Sequence, residues 1–190
     1  MTILVTGAAG FIGANFVIDW FNQSHEEIVS LDALTYAGNL ENLSSLNHNS
    51  LHHFIQGNIA DSDLVIQLLK KYHIRAIVHF AAETHVDRSI RKSDHFIDTN
   101  IVGTYHLLES VRSYWNDLSE EAKNGFRFLH VSTDEVYGSL DANTKSYDEE
   151  DPYKPNNPYS ASKAASNHLV RAWFYTYGIP TIISRSEEHT

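Results

Sequence analysis

Short apolar runs alternate along the chain with segments in which apolar residues recur at helical spacing. The apolar runs predict strands at residues 3–5, 28–32, 54–55, 76–80, 126–131 and 181–183. The intervening periodic segments predict helices at residues 11–21, 61–69, 94–115 and 158–177. Continuous apolar strands separated by helices are typical of a parallel sheet that is covered on both faces. The pattern therefore predicts a doubly wound α/β fold, with residues 141–157 as a polar surface loop.

Composition narrows the class of protein. The 190 residues, 42% hydrophobic and 20% charged, fit one soluble domain or most of one. With 14 Lys and Arg against 24 Asp and Glu, the net charge of −10 argues against nucleic acid or an anionic membrane as the main partner. The sequence has no cysteine, no basic leader and no apolar run of about 18 residues, so we expect a cytoplasmic protein without disulfides. The 12 histidines lack metal-ligand spacing, and we expect no metal site.

A glycine-rich turn follows the first predicted strand and opens the first predicted helix. Gly7 allows a tight turn, Gly10 lets the backbone approach a pyrophosphate, and Gly13 permits close packing of helix and sheet. The free N–H groups and the dipole of the helix favour phosphate binding there. The alternative is a glycine-rich turn without a ligand. The strand, the helix and the spacing together favour a dinucleotide site.

Asp32 ends the second predicted strand, about 20 residues beyond the turn. A carboxylate at this place can accept hydrogen bonds from an adenosine ribose and repels a 2′-phosphate. Ala33 and Leu34 supply no cation to offset that repulsion, which favours NAD over NADP. The alternative is that Asp32 caps a helix.

Two further groups of residues are predicted to carry chemistry. Tyr159 and Lys163 lie one turn apart in the last helix, where an ammonium can lower the pKa of a phenol and make it a useful base. Thr133, Asp134 and Glu135 follow the fifth strand, and ligands of open parallel sheets bind beyond the carboxyl ends of strands. Adjacent carboxylates can divide the roles of acid and base. The alternative for this run is a solvated acidic turn.

The sequence resembles the extended short-chain dehydrogenase/reductases that act on nucleotide sugars, and among them the 4,6-dehydratases. The likeness covers about residues 1–184. It is carried by residues 7–13 (GAAGFIG), 34–40 (LTYAGNL), 81–90 (AAETHVDRSI), 133–138 (TDEVYG) and 159–163 (YSASK). The glycine and Tyr-x-x-x-Lys motifs identify only the superfamily. The Thr-Asp-Glu run is more discriminating, because related epimerases and decarboxylases generally lack the Asp-Glu pair.

The resemblance implies an NAD-dependent lyase with a Rossmann domain and dTDP-glucose as substrate. Tyr159, assisted by Lys163, would take the 4-hydroxyl proton while C4 is oxidised. Glu135 would remove the C5 proton, Asp134 would protonate the departing C6 hydroxyl, and hydride would return to C6. Thr133 would orient the sugar near its 4-oxygen.

The same resemblance implies the residues that line the binding sites. The cofactor residues would be Gly7, Gly10, Phe11, Ile12, Gly13, Asp32, Leu34, Thr35, Asn58, Ile59, Phe80, Ala81, Ala82, Thr84, Thr99, Tyr159 and Lys163. The substrate residues would be Thr84, Thr133, Asp134 and Glu135, with His85, Asp87 and Arg88 in the active-site loop or in an exposed charged loop. The helices near 94–115 and 158–177 would form the face of a homodimer.

Two positions depart from the family pattern. Asn58 stands where the family usually has an aspartate that contacts the adenine amino group, so we expect weaker cofactor binding. After residue 184 the family continues into a C-terminal substrate domain, whereas residues 185–190 here resemble a translated DNA-sequencing adapter. We therefore expect residues 1–184 to be an incomplete NAD-binding domain, inactive alone, and 185–190 to be a non-native tail. The open alternatives are a UDP- or GDP-sugar dehydratase or epimerase, or a non-catalytic NAD-binding module.

Overall fold

The computed structural model describes residues 2–140 and 146–186. The strands are β1 (Thr2–Thr6), β2 (Glu27–Asp32), β3 (His52–Gln56), β4 (Ile74–His79), β5 (Arg127–Thr133) and β6 (Thr181–Ser186). The helices are α1 (Phe11–Ser24), α2 (Ser62–Lys71), α3 (Val86–Arg91), α4 (Asp94–Phe96), α5 (Thr104–Asp117), α6 (Glu120–Gly125) and α7 (Pro158–Tyr177). A π-helical segment spans Ile97–Gly103, and 3₁₀ turns span Leu40–Leu46 and Asp134–Tyr137.

These strands form one parallel sheet in the order β3-β2-β1-β4-β5-β6. The predicted doubly wound α/β fold is therefore confirmed. The chain winds in one direction from β1 to β3 and in the other from β4 to β6. This reversal leaves a crevice between the carboxyl ends of β1 and β4, which is where open parallel sheets bind ligands.

The core lies on both faces of the sheet because successive strand residues point to opposite sides. Leu4 faces a cluster that includes Leu69 of α2 and Leu107 of α5. Ile3 and Val5 face a second cluster with Val17 of α1. All of these side chains are buried, and each contributes about 1.5–3 kcal/mol of hydrophobic stabilisation. The two covered faces explain why the strand sequences are apolar without alternation.

The helix predicted at residues 94–115 is present but is not regular. Its middle is the π-helical segment, and its polar residue Asn100 is buried. The Asn100 side chain accepts a hydrogen bond from the Glu83 N–H (2.8 Å) and donates to the Glu83 carbonyl (2.9 Å) and to Ser162 Oγ (2.8 Å). This one side chain thus joins the loop after β4 to α7. Helical periodicity alone does not register such a distortion.

The structure also differs from the sequence prediction in several short segments. The short helices α3 and α6 and both 3₁₀ turns were not predicted, because each is too short to show a period. Within the predicted surface loop, residues 146–157 form no helix or strand, and 141–145 lie outside the described residues. No helix in the described part of the chain is long and apolar enough to cross a membrane.

Strand β6 extends two residues past the domain boundary that the sequence predicts at residue 184. Arg185 and Ser186 continue the strand and pair with Ser132 and Thr133 of β5. Arg185 also donates a hydrogen bond to the Tyr153 hydroxyl (2.9 Å). Residues 187–190 lie outside the described residues. A non-native origin of residues 185–190 stays a prediction.

Candidate active site

A cleft of about 490 Å³ opens at the carboxyl end of the sheet, over the ends of β1, β2, β4 and β5. Nearly all of the predicted site residues line it: Gly7, Gly10, Phe11, Ile12, Gly13, Asp32, Thr35, Asn58, Ile59, Phe80, Ala81, Ala82, Thr84, Thr99, Thr133, Asp134, Glu135, Tyr159 and Lys163. Leu34 is not among the lining residues, because its side chain packs against the core cluster on the α1 side of the sheet. The fold thus brings residues that are distant in sequence into one crevice.

The glycine turn between β1 and α1 is a close-fitting cradle. Gly7 has φ +69°, and a Cβ there would lie 2.6 Å from the Ala81 backbone nitrogen. A Cβ on Gly13 would lie 2.2 Å from the Gly7 carbonyl oxygen, so Gly13 allows α1 to pack on the turn itself. α1 begins at this turn without a side-chain cap and without an acidic residue in its first turn. Its N–H groups and positive dipole end therefore favour an anionic ligand in the cleft.

Asp32 closes the other side of the cradle. Its Oδ2 accepts a hydrogen bond from the Ala9 N–H and its Oδ1 from the Leu34 N–H, both at 2.8 Å. Each carboxylate oxygen keeps a second lone pair that can accept from a ribose hydroxyl. The alternative that Asp32 caps a helix is wrong, because residues 33–39 form no helix and the 3₁₀ turn that follows them is capped by Asn39. Glycine cradle and carboxylate together fit the phosphates and ribose of a dinucleotide.

Asn58, which the resemblance assigns to the adenine of the cofactor, lines the cleft. Its Oδ1 accepts a hydrogen bond from the Ala60 N–H (2.9 Å). The next predicted helix begins as expected, since Asp61 Oδ1 accepts from the Leu64 N–H (3.0 Å). Weaker cofactor binding through Asn58 stays a prediction.

Tyr159 and Lys163 are held at the start of α7. Asn157 and Ser160 form a capping box, and Pro158 occupies the first turn of the helix. Both Tyr159 and Lys163 are buried and line the cleft. The Lys163 ammonium donates to the Val131 carbonyl at the end of β5 (2.8 Å). Burial lowers the pKa of Lys163 to about 8, so its ammonium form is still the main one at neutral pH.

The acidic run lies where β5 ends and turns into a 3₁₀ turn. Thr133 Oγ1 accepts a hydrogen bond from the Glu135 N–H (3.2 Å) and donates to Asp134 Oδ1 (3.4 Å). The Glu135 carboxylate accepts from Asn157 Nδ2 (3.2 Å). All three residues of the run line the cleft beside Tyr159 and Lys163. The arrangement places two carboxylates and a Tyr-Lys pair around one space, as acid–base chemistry requires.

Two buried histidines, His79 and His130, lie near Lys163 and were not singled out from the sequence. His79 hydrogen-bonds to Thr6 Oγ1 (2.7 Å) and Thr104 Oγ1 (3.1 Å), and its ring lies 5.2 Å from that of His130. Burial, and then the charge of Lys163, lowers the pKa of His79 to about 3. Burial also lowers the pKa of His130 well below its usual value. Each histidine interrupts an otherwise apolar run, and this was the feature of the sequence that could have indicated a buried polar residue.

Asn157 and Glu83 were also absent from the predicted site. Glu83 lines the cleft, and Asn157 touches Glu135. Both stand beside predicted residues, but only the folded chain shows what their side chains reach. The described part of the chain has no group of three metal-ligating side chains.

The fold and the site define a Rossmann-type protein with the Tyr-Lys pair of the short-chain dehydrogenase/reductases. The profile of the GDP-mannose 4,6-dehydratase family matches residues 4–190, and the chain belongs to this family. This confirms the resemblance to the nucleotide-sugar enzymes of the extended group.

Two curated relatives share the name of one enzyme, dTDP-glucose 4,6-dehydratase. The chain is 56% identical over 181 residues to dTDP-glucose 4,6-dehydratase of Xanthomonas campestris pv. campestris (strain B100), covering 95% of this chain and 51% of the relative. It is 50% identical over 192 residues to the enzyme of that name from Escherichia coli, covering 97% of this chain and 53% of the relative. The chain thus spans about half the length of the curated relatives it matches.

Solved structures agree with this grouping. Streptomyces venezuelae DesIV, a dTDP-glucose 4,6-dehydratase solved with NAD bound, has a TM-score of 0.87 and 43% identity, over 97% of this chain and 55% of that one. The UDP-glucose 4-epimerase of Thermus thermophilus, solved in complex with NAD, has a TM-score of 0.82 and 28% identity, over 97% of this chain and 54% of that one. The dehydratase is the more similar of these two in sequence.

Proposed function

We propose that this chain is the NAD-binding part of a dTDP-glucose 4,6-dehydratase, a lyase that converts its substrate to dTDP-4-keto-6-deoxyglucose. One observation carries the proposal: Asp134 and Glu135 share a cleft with Tyr159 and Lys163, directly beside the glycine cradle. The names of relatives that are 47–56% identical support the same activity.

The residues of the cleft suit NAD. The N–H groups at the start of α1 would hold its pyrophosphate, and Asp32 would accept hydrogen bonds from its adenosine ribose. The carboxylate at Asp32 also disfavours a 2′-phosphate, which supports NAD rather than NADP. When bound, the nicotinamide supplies the acceptor for hydride from C4 and the donor of hydride to C6.

Tyr159 is the base for the sugar 4-hydroxyl. The Lys163 ammonium is fixed by the Val131 carbonyl within the same buried corner and favours the phenolate form of a neighbouring tyrosine. Loss of the hydroxyl proton to Tyr159 accompanies oxidation at C4. The new 4-ketone then acidifies the C5–H bond.

Glu135 and Asp134 carry out the elimination. The Glu135 carboxylate takes the C5 proton, and the electron pair of the C–H bond forms the C5–C6 double bond. The C6–O bond breaks as Asp134 gives its proton to the leaving hydroxyl, which departs as water. Thr133 hydrogen-bonds to Asp134 and to the Glu135 backbone, and so holds the two carboxylates in relation to each other.

Two alternatives remain distinct from this proposal. A UDP- or GDP-sugar dehydratase or epimerase would use the same cleft, and the family's name refers to GDP-mannose. The Asp-Glu pair and the 28% identity to a UDP-glucose epimerase favour the dTDP-glucose enzyme. A non-catalytic NAD-binding module is the other alternative, and it applies best to these 190 residues assayed by themselves, which we expect to be inactive.

A homodimer is part of the proposal. α5 and α7 leave aromatic side chains exposed, with Tyr105 at 41%, Phe174 at 44% and Tyr175 at 68% of their surface. Exposed aromatic side chains on these two helices support their role in a protein interface. A cytoplasmic location stays a prediction.

Two measurements test the proposed function. Full-length protein with NAD should convert dTDP-glucose to its 4-keto-6-deoxy product, and the absence of this product would overturn the proposal. Calorimetric titration of the 190-residue chain with NAD and then with dTDP-glucose addresses the alternative. Binding of NAD without binding of the sugar nucleotide would support the alternative that these 190 residues by themselves act only as an NAD-binding module.

A further inference from the structure

Asn157 makes two different contacts with the two functional parts of the site. Its Oδ1 accepts the Ser160 N–H (2.8 Å) and so caps α7, the helix that carries Tyr159 and Lys163. Its Nδ2 donates to Oε2 of Glu135 (3.2 Å), across 22 residues of sequence. The reversed amide would turn its N–H₂ toward an N–H and its oxygen toward a carboxylate. The two contacts therefore determine the orientation of the amide.

Capping alone does not account for asparagine at this position. Asparagine, aspartate and serine are about equally good caps, because each offers an oxygen to the free N–H groups of the first turn. Only asparagine adds an N–H₂ donor to that oxygen. Here the donor is directed at the carboxylate of the proposed base.

The backbone of Glu135 is already held at both ends of its turn. Its N–H donates to Thr133 Oγ1 (3.2 Å), and its carbonyl accepts from the Gly138 N–H (3.1 Å). Three side-chain torsions still separate this backbone from the carboxylate. The hydrogen bond from Asn157 restricts them, and it leaves the lone pairs of Oε1 for a proton.

We propose that Asn157 is a positioning residue for Glu135, which ties the direction of that carboxylate to the start of the helix carrying Tyr159 and Lys163. This inference rests on the proposed function, in which Glu135 removes the C5 proton. It predicts that the contact with Glu135 affects proton removal at C5 more than oxidation at C4.

A double-mutant cycle in the full-length protein tests the contact itself. Asn157→Asp keeps the capping oxygen but places a second carboxylate oxygen against Glu135. We expect it to lower the thermal midpoint by roughly 2–4 °C at neutral pH when Glu135 is present. In the Glu135→Gln background it should cause no decrease, because the repulsion is gone. Equal changes in both backgrounds would overturn the proposal.

Exchange of the C5 proton with deuterated solvent tests the role in chemistry. Asn157→Ser retains a capping oxygen and lacks the N–H₂ donor. We expect C5 exchange to fall roughly threefold in Asn157→Ser and roughly tenfold in Asn157→Asp. C4 oxidation, measured as 4-keto sugar in quenched reactions, should stay within about twofold in both variants. Asn156→Ser is the matched control, since the Asn156 side chain hydrogen-bonds to Ser139 Oγ rather than to Glu135.

The remaining outcomes are decisive as well. Unchanged C5 exchange in Asn157→Asp would overturn the proposal, as would equal losses of C5 exchange and C4 oxidation, which indicate a general structural defect. Absence of exchange in the unsubstituted protein would overturn the proposed function and, with it, the role of Asn157. The thermal cycle tells these failures apart, because it reports the Asn157–Glu135 contact without any turnover.

Discussion

The guanidinium of Arg88 lies 3.7 Å from the centre of the Tyr36 ring. Tyr36 belongs to the loop after β2, and Arg88 belongs to α3, beyond the loop that follows β4. Burial, and then the nearby Glu83 carboxylate, raises the pKa of the Tyr36 phenol. Because the loop of Tyr36 and the loop of Glu83 both line the cleft, the stack joins two of its walls.

Arg88→Ala should weaken NAD binding about fivefold. A partly exposed cation–π stack contributes about 1 kcal/mol, and its loss frees the loop after β2 to move away from the cleft. Calorimetric titration with NAD measures the change. Arg91→Ala, an exposed arginine of the same short helix, should leave the affinity unchanged. Equal affinities for NAD in the two variants would show that the stack of Arg88 on Tyr36 does not fix the loop after β2 at the cleft.

Gly13→Ala should destabilise the protein by about 1–3 kcal/mol and reduce NAD binding, because the new Cβ would lie 2.2 Å from the Gly7 carbonyl oxygen. Gly125→Ala is a suitable control, since a Cβ there meets nothing within 4 Å. Chemical denaturation of both variants measures the difference. Similar unfolding free energies for the two variants would contradict the close fit of the glycine turn.

Lys163 should make the protein more stable as the pH rises from 8 toward 10.5. Its pKa is lowered to about 8 in the folded state, so across this interval the unfolded chain binds a proton that the folded chain has released. The shift corresponds to about 3 kcal/mol. In Lys163→Met this part of the pH dependence should disappear, together with catalysis. The test compares denaturation curves of the two proteins at pH 8, 9 and about 10.

His79 should produce a second pH dependence of stability, of the same sign as that of Lys163 but on the acid side of neutrality. Its pKa is about 3 in the folded state and near 6.5 when unfolded, so below pH 6.5 only the unfolded chain takes up the proton. The contribution of His79 to stability should fall by about 1.4 kcal/mol for each pH unit below that point. His79→Gln should flatten this slope, whereas replacement of the exposed His48 by Gln should not. An unchanged slope in His79→Gln would assign the acid sensitivity to other groups.

Glu135→Gln should abolish C5 solvent exchange in the full-length protein while some C4 oxidation remains. The amide keeps the shape of the side chain but cannot accept a proton from carbon. Deuterium incorporation at C5, followed by NMR, provides the measurement. Asp134→Asn is the comparison, because it should block loss of water and still allow exchange. Full exchange in Glu135→Gln would remove this residue from the role of base.

The order of apolar runs and motifs along the sequence was sufficient to predict the fold class and most of the candidate site. Apolar runs without alternation already implied a sheet covered on both faces, and strand ends in a parallel sheet lie at one edge. The glycine turn, Asp32, the acidic run and the Tyr-Lys pair were therefore predicted to meet. They do so because each immediately follows a strand or begins a helix at that edge.

Contacts between distant segments were decided by the tertiary structure alone. Three such contacts join residues of different segments. They are the hydrogen bond from Asn157 to Glu135, the hydrogen bonds by which Asn100 links Glu83 to Ser162, and the stack of Arg88 on Tyr36. A polar residue shows its type in the sequence but not its partner, since the partner is set by how the strands and helices pack. The burial that lowers the pKa of Lys163 is likewise a property of the packed sheet and helices around it.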